Sequence, residues 1–210
     1  MNEMPFELEL PIFAADLATM QLPDPDLLQY YQHLQDRVLW LDDEISWEEI
    51  KKYVKQILIW NKEDKGKPVE ERIPIKVFVN SPGGDVFSAL SLYHTMVASQ
   101  TKIITVNFGD AASMGSILFL GGSERYAMQN SIYMIHCGSM VLSGTSDQVQ
   151  QTSKAMEKLN LIVKKIYLGR TGIEEKVYNR NKSKEWYIFG EEQMELGIAH
   201  KMVNSLEEII

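Results

Sequence analysis

The segment NFGDAASMGSILFL, residues 107–120, constrains this chain more than any other. The apolar run 103–106 enters it and the apolar run 117–120 leaves it. Between them stand Gly109, Ala111, Ala112, Ser113, Gly115 and Ser116, all small. The pattern predicts a strand that turns sharply into a helix through residues that allow close backbone approach. Such a turn lifts a short side chain to a helix N-terminus, where backbone N–H groups lack partners and the dipole is positive. Ser113 there reads in two ways. It is a nucleophile whose oxyanion would fall among those donors, or an N-cap in a tightly packed junction.

A second junction of the same kind precedes it. IKVFVN (75–80) reads as a strand, SPGGD (81–85) as a turn, and 86–98 as a helix with Ala89, Leu92, Tyr93, Met96 and Val97 inward. The next strand, 103–107, completes the alternation, which implies βαβ units and a parallel sheet covered by helices. Upstream, 27–35 is a short helix and RVLWL (37–41) a buried strand. Ser46 and Glu49 form a capping box for a helix over 46–60, with Ile50, Tyr53, Val54, Ile57 and Leu58 on one face. Downstream come strands at 125–128 and 132–135, a polar loop at 137–146 and a long helix over 149–168. That helix carries apolar residues from Val149 to Tyr167 at three-to-four spacing and is expected to stop at Gly169. A short helix at 174–181, an apolar stretch at 186–188 and a last helix at 191–196, stopped by Gly197, close the chain. Residues 1–26 hold four of the prolines (Pro5, Pro11, Pro23, Pro25) without a clean period, and read as an extended arm.

With 210 residues and 45 % hydrophobic content, the chain supports one sizeable core. A net charge of −8 argues against a nucleic-acid partner. The single cysteine, Cys137, excludes an intrachain disulfide framework and a cysteine metal cluster. No apolar run reaches the length of a membrane span, and the acidic MNEMPFELEL start lacks the basic region of a secretory signal. These features read as a cytoplasmic protein that binds neither membrane nor nucleic acid.

A nucleophilic serine needs a base. Of the four histidines, His33 and His94 fall within helices and His200 follows the last one in a polar context. His136 ends the apolar strand 132–135, just before a glycine loop, where functional groups of open parallel sheets gather. The bland alternative is a strand-end histidine bonded to backbone. The Gly83–Gly84 turn and the N–H of Met114 would together supply two oxyanion donors, although such a turn is also common without function.

Four ordered segments now carry a resemblance: VNSPGGDVFSALSLYHTM (79–96), GDAASMGSILFLGG (109–122), NSIYMIHCGS (130–139) and the tail 171–203, with EWYIFGEEQMELG. Together they resemble the proteolytic subunit of the Clp protease (the ClpP family), over roughly residues 27–205. The resemblance implies an α/β, ClpP/crotonase-like fold of stacked parallel βαβ units with a long handle helix. Residues 1–26 would be the N-terminal arm, 27–205 the serine peptidase domain and 206–210 a tail. It implies a serine endopeptidase that hydrolyses unfolded polypeptides inside a closed chamber of two heptameric rings, a homo-oligomeric tetradecamer. An AAA+ unfoldase would deliver substrate and use the ATP, leaving no cofactor or metal in this subunit. Ser113 matches the nucleophile, His136 the base, and Gly84 and Met114 the oxyanion donors. Counted without gaps from Thr171–Gly172, the catalytic aspartate of the family falls on Glu185, one methylene longer. Asn181, the other polar candidate, cannot supply a charge.

The departure at Glu185 keeps a second reading open, a weak or inactive subunit acting as scaffold or gate. The loop after His136 also departs, keeping only Gly138 and Gly144 of its usual glycines. A crotonase-type acyl-CoA enzyme would share the fold without needing the Ser–His pair. A Ser–Lys signal-peptide peptidase would need a membrane span.

Overall fold

The computed structural model describes residues 24–138 and 143–209. Most of the proposed arm, and Ile210 of the proposed tail, lie outside them. The chain divides into two compact units, Met1–Asp36 and Arg37–Ile210. The first contributes helix α1 (Pro25–Gln35), capped by the Asp24 side chain and without a buried residue.

The second unit is built on a seven-stranded sheet. Its main path runs β1 (Val38–Leu41), β2 (Ile75–Ser81), β3 (Ile103–Ala112), β4 (Glu124–Met128) and β7 (Lys201–Val203), in the order β1-β2-β3-β4-β7. Every pair on that path is parallel. Ile75, Val77, Phe78 and Val79 are all buried, as a strand covered on both faces requires.

Strand β3 is longer than the apolar run 103–107 suggests. It continues through Phe108–Ala112 and serves two neighbours. Its first half pairs with β4 through Ile104–Asn107, and its second half pairs with β5 (Ile132–Ile135) through Asp110–Ala112. The extension is possible because the register against β2 shifts between Val79 and Ser81. The Asn80 side-chain oxygen fills the bulge and accepts from the Asp110 N–H at 3.0 Å. Gly109 is needed there, since a Cβ would stand 2.5 Å from that same oxygen. Strand β6 (Trp186–Phe189) adds to β5 in antiparallel sense.

Helices α2 (Trp47–Glu63), capped by Ser46, and α3 (Val86–Ala98), capped by Asp85, pack against each other. Ile50, Ile57 and Trp60 are buried on α2, and Ala89, Leu92, Tyr93 and Met96 on α3. The period overreached at two positions: Leu58 and Val97 face solvent at 59 % and 48 % exposure. Helix α5 (Ser146–Arg170) begins at a Thr145–Gln148 capping box and runs through Gly169, past its expected stop. Its last turn is held by tertiary bonds: Arg170 donates to the carbonyls of Leu120 at 3.0 Å and Gly122 at 2.7 Å. Along α5 only Ile166 and Tyr167 are buried, while Leu161 and Ile162 of the apolar stripe are exposed. Helices α6 (Glu175–Asn181) and α7 (Glu192–Glu195) flank β6, and Gly197 follows α7 at φ +63°, as expected of a helix stop. Three-residue β7 gave no legible pattern. It pairs with β4, and buried Arg125 of β4 anchors the chain just ahead of it by donating to the carbonyls of Ile198 and Gly197, and also to that of Arg170.

A buried ion pair ties the start of the sheet to the end of α2. Arg37 donates to both Asp64 oxygens, at 2.5 and 3.0 Å, and Thr101 donates to the same carboxylate at 2.8 Å. The Arg37 guanidinium holds the Asp64 carboxyl well below the usual carboxylate range, against the opposing pull of burial. Asp64 therefore contributes stability that is fully present above an unfolded carboxylate value of about 4 and is lost as pH falls towards the depressed folded value. Asp64→Asn, which leaves buried Arg37 only exposed Glu63 at 3.5 Å and the Ile73 carbonyl at 3.1 Å, should cost about 3 kcal/mol, the low end for breaking a buried pair. Thermal melts across acid pH should show wild type losing stability below about pH 4 and a flatter dependence in Asp64→Asn.

Candidate active site

The turn out of β3 places Ser113 at φ +52° and ψ −121°, and among the described residues only one other non-glycine residue, Arg37, has a positive φ. A conformation of this kind costs roughly 1–3 kcal/mol and persists only where its surroundings fix it. They do so here. The Ser113 N–H donates to the Met134 carbonyl on β5 at 3.0 Å. The Ser113 carbonyl accepts from the Ser116 hydroxyl at 2.6 Å and the Ser116 N–H at 3.1 Å. The Tyr167 hydroxyl on α5 lies 2.6 Å from the Ser116 hydroxyl, and the Tyr133 hydroxyl on β5 donates to the Ser116 carbonyl at 3.1 Å. Burial pushes both tyrosine hydroxyls above their ordinary value, so each stays protonated and able to donate at neutral pH.

Sequence reasoning missed this layer of Ser116, Tyr133 and Tyr167. A serine three residues past Ser113 and tyrosines in apolar runs give no signal on their own. Helix α4 (Met114–Phe119) follows, with all six residues buried.

The glycine turn closes over Ser113 from β2. Gly83 has φ +100°, and a Cβ there would stand 2.6 Å from the Ser113 Cβ and 2.9 Å from the Met114 nitrogen. Gly84 has φ +146°, and its Cβ would stand 2.4 Å from the Ile45 carbonyl. Ile45 pins the turn: its N–H donates to the Gly83 carbonyl and its own carbonyl accepts from the Asp85 N–H, both at 2.8 Å. Both glycines are thus required by sterics and by backbone angle.

His136 follows β5 directly. Its Nε2 lies 2.7 Å from the Ser113 Oγ. Gly84, Ser113, Met114 and His136 line one cavity of about 290 Å³, which Met156 and Leu159 of α5 also line. Gly84 and Met114, on two different turns, thus border the same space as the serine hydroxyl. Glu185 lies just ahead of β6, and its carboxylate accepts from the Tyr187 hydroxyl at 2.9 Å. Among the described residues, the hydrogen bond of the His136 ring is to Ser113 alone. Asn181 turns back on its own helix and donates to the Val177 carbonyl at 3.1 Å. The other histidines of this unit lie elsewhere: exposed His94 contacts the Tyr93 ring, and exposed His200 accepts from the Arg125 N–H. No group of three or more metal-ligating side chains occurs among the described residues, and none of their helices is long and apolar enough to cross a membrane.

A hydroxyl bonded to an imidazole, beneath a Gly-Gly turn and at the edge of a cavity on a parallel sheet, has the parts that acyl transfer needs: a nucleophile, a base and backbone donors. The class this fold and site define is a serine peptidase. The Clp protease family profile matches residues 25–205. An ATP-dependent Clp protease proteolytic subunit of Deinococcus radiodurans is 28% identical over 181 residues, covering 85% of this chain and 86% of that one. Subunit 2 of the same protease from Tropheryma whipplei is 30% identical over 168 residues (79% and 90%), and that from Treponema denticola 27% over 188 (89% and 90%). The chain belongs to the Clp protease family.

Gly83→Ala should strain the turn and drive its methyl group into Ser113. A loss of more than about 1 kcal/mol in stability is expected, with labelling of Ser113 by a fluorophosphonate abolished. Thermal melts and labelling by mass spectrometry check both.

Proposed function

We propose that Ser113 is the nucleophile, His136 the general base and acid, and the N–H groups of Gly84 and Met114 the oxyanion donors of a Clp-type serine endopeptidase. The 2.7 Å contact between the Ser113 Oγ and the His136 Nε2 carries this reading. As Oγ attacks the scissile carbonyl, Nε2 takes its proton. The tetrahedral oxyanion then faces backbone donors fixed in place before reaction, the arrangement in which such donors are worth most. Its collapse breaks the C–N bond, and the imidazolium returns the proton to the leaving amine. Water, deprotonated by the same nitrogen, then releases the acyl group and restores the hydroxyl.

Glu185 is the acid of the triad in this reading. Support comes from the backbone on either side of it. Ile135 is paired with Trp186, and the Cys137 N–H donates to the Lys182 carbonyl at 2.7 Å. The residues flanking His136 are thereby tied to residues flanking Glu185. A carboxylate brought to Nδ1 would fix the tautomer and stabilise the imidazolium.

The substrates are unfolded polypeptides, delivered by an AAA+ Clp unfoldase that uses the ATP, so the subunit itself needs no cofactor. The working form is two stacked heptameric rings in the cytoplasm, with the active sites inside. The exposed stripe on α5, including Leu161 at 56 % and Ile162 at 43 % exposure, supports assembly, since a subunit that stayed alone would leave this stripe in water.

Ser113→Ala should abolish labelling by a fluorophosphonate. His136→Ala should lower the rate of peptide hydrolysis by about 10⁴-fold or more, with little change in melting temperature. Wild-type protein that neither labels at Ser113 nor cleaves peptides sinks this function.

A further inference from the structure

Glu185 has two possible partners, and the structure holds it on the one that does no chemistry. The antiparallel ladder of β5 and β6 ends at the pair Ile135–Trp186. Glu185 is the next residue along one strand and His136 the next along the other. Side chains directly opposite in such a ladder stand about 5 Å apart at Cβ, and alternate residues share a face. Glu185 lies two residues from Tyr187 on the same strand edge, and the two stretches of chain stay side by side past it, the Cys137 N–H donating to the Lys182 carbonyl at 2.7 Å, which leaves His136 as its neighbour across the strands. In the structure its carboxylate is on the Tyr187 hydroxyl at 2.9 Å. Glu185 and Tyr187 are both exposed, the tyrosine at 46 %, so neither side chain is locked by packing. The bond to Glu185 and the charge of that carboxylate, more than burial or the Asp110 charge, push the tyrosine hydroxyl upward, keeping it a donor at neutral pH.

We propose that Tyr187 is a positioning residue that draws the Glu185 carboxylate away from His136, so that the fraction of molecules with a complete triad is set by competition between a tyrosine hydroxyl and an imidazole for one acid. The proposal rests on the roles given above to Ser113, His136 and Glu185. Its chemistry is that of a two-position switch. A carboxylate with two donors within reach divides its time by their relative strength, and removing one donor shifts the population to the other. An aspartate, one methylene shorter, would have less freedom to choose. Anything that covers the exposed hydroxyl of Tyr187, a neighbouring subunit included, would have the effect of removing that donor.

The test is the second-order rate of fluorophosphonate labelling at Ser113, measured on the full-length protein as assembled, for wild type, Tyr187→Phe, Glu185→Gln and the double variant. Tyr187→Phe should label about three- to ten-fold faster, the range corresponding to loss of one exposed hydrogen bond. The acid limb of its pH–rate profile should move to higher pH, as a carboxylate brought to the imidazole requires. Glu185→Gln should label more slowly than wild type, and the double variant at the rate of Glu185→Gln. An unchanged or slower Tyr187→Phe overturns the proposal, as does an acceleration that persists in the Glu185→Gln background. In both cases Ser113 still labels, so the peptidase reading stands. Wild type that does not label at Ser113 overturns both.

Discussion

The backbone of Ser113 is the constraint around which the rest is arranged. A serine at positive φ between a strand and a helix is unstable alone, and each neighbouring element contributes something that fixes it. Strand β5 gives a carbonyl to its N–H, α4 returns the Ser116 hydroxyl to its carbonyl, and α5 reaches that hydroxyl with Tyr167. Strand β2 brings Gly83 so close that no side chain fits between. These contacts come from four separate stretches of chain. The placement of the Ser113 hydroxyl is therefore a property of the whole sheet, and the strain at one residue is offset by bonds that would otherwise have no reason to converge.

The fork in β3 brings His136 and Ser113 together. Had β3 stopped at Asn107, β5 would have no edge to join and His136 would hang free of the sheet. The bulge against β2, filled by Asn80, lets β3 run five residues further (Phe108–Ala112) and present Asp110–Ala112 to β5. Parallel pairing of Ala112 with Met134 then puts Ser113 and His136 one and two residues beyond a shared rung. The 2.7 Å contact is the consequence of that rung. Interior polar bonds reinforce the corner: the Asn107 amide donates to the Ile132 carbonyl at 2.8 Å, and Gln193 donates to Ser131 at the head of β5.

Much of this was legible in the sequence because periodicity and turn chemistry are local. Helix α3 and strand β5 have the ends their patterns indicate, and Ser113 and His136 lie at the strand ends where small residues and apolar runs placed them. What escaped depends on partners distant in sequence. The extension of β3 needs Asn80; the continuation of α5 past Gly169 needs the carbonyls of Leu120 and Gly122; β7 needs the buried guanidinium of Arg125. Leu58 and Val97 sit at the margins of apolar stripes, where a period of 3.6 does not decide between core and water. The hydroxyl layer beneath Ser113 was invisible for the same reason, since nothing in a lone tyrosine says which backbone it will reach.

The position of Glu185 follows from the same reasoning about distance and freedom. The two tethers around it, Trp186 to Ile135 and Lys182 to Cys137, tie the chain on either side of it to the residues flanking His136, while its exposed side chain is held only by the Tyr187 hydroxyl. A buried carboxylate in that place would be forced to pair with the imidazole, because an unpaired buried charge is far more costly than an exposed one. An exposed carboxylate is under no such compulsion, and water and a tyrosine hydroxyl compete for it on nearly equal terms. Whether Glu185 engages His136, as the proposed roles require, is then decided by what excludes water from this face. The β5–β6 edge carries exposed Tyr187 and Phe189, with ring centroids 6.5 Å apart. Covering these rings would raise the local strength of every electrostatic contact beneath them. The Ser113–His136 pair is therefore organised by the sheet itself, while the Glu185 carboxylate is left sensitive to what lies beside it.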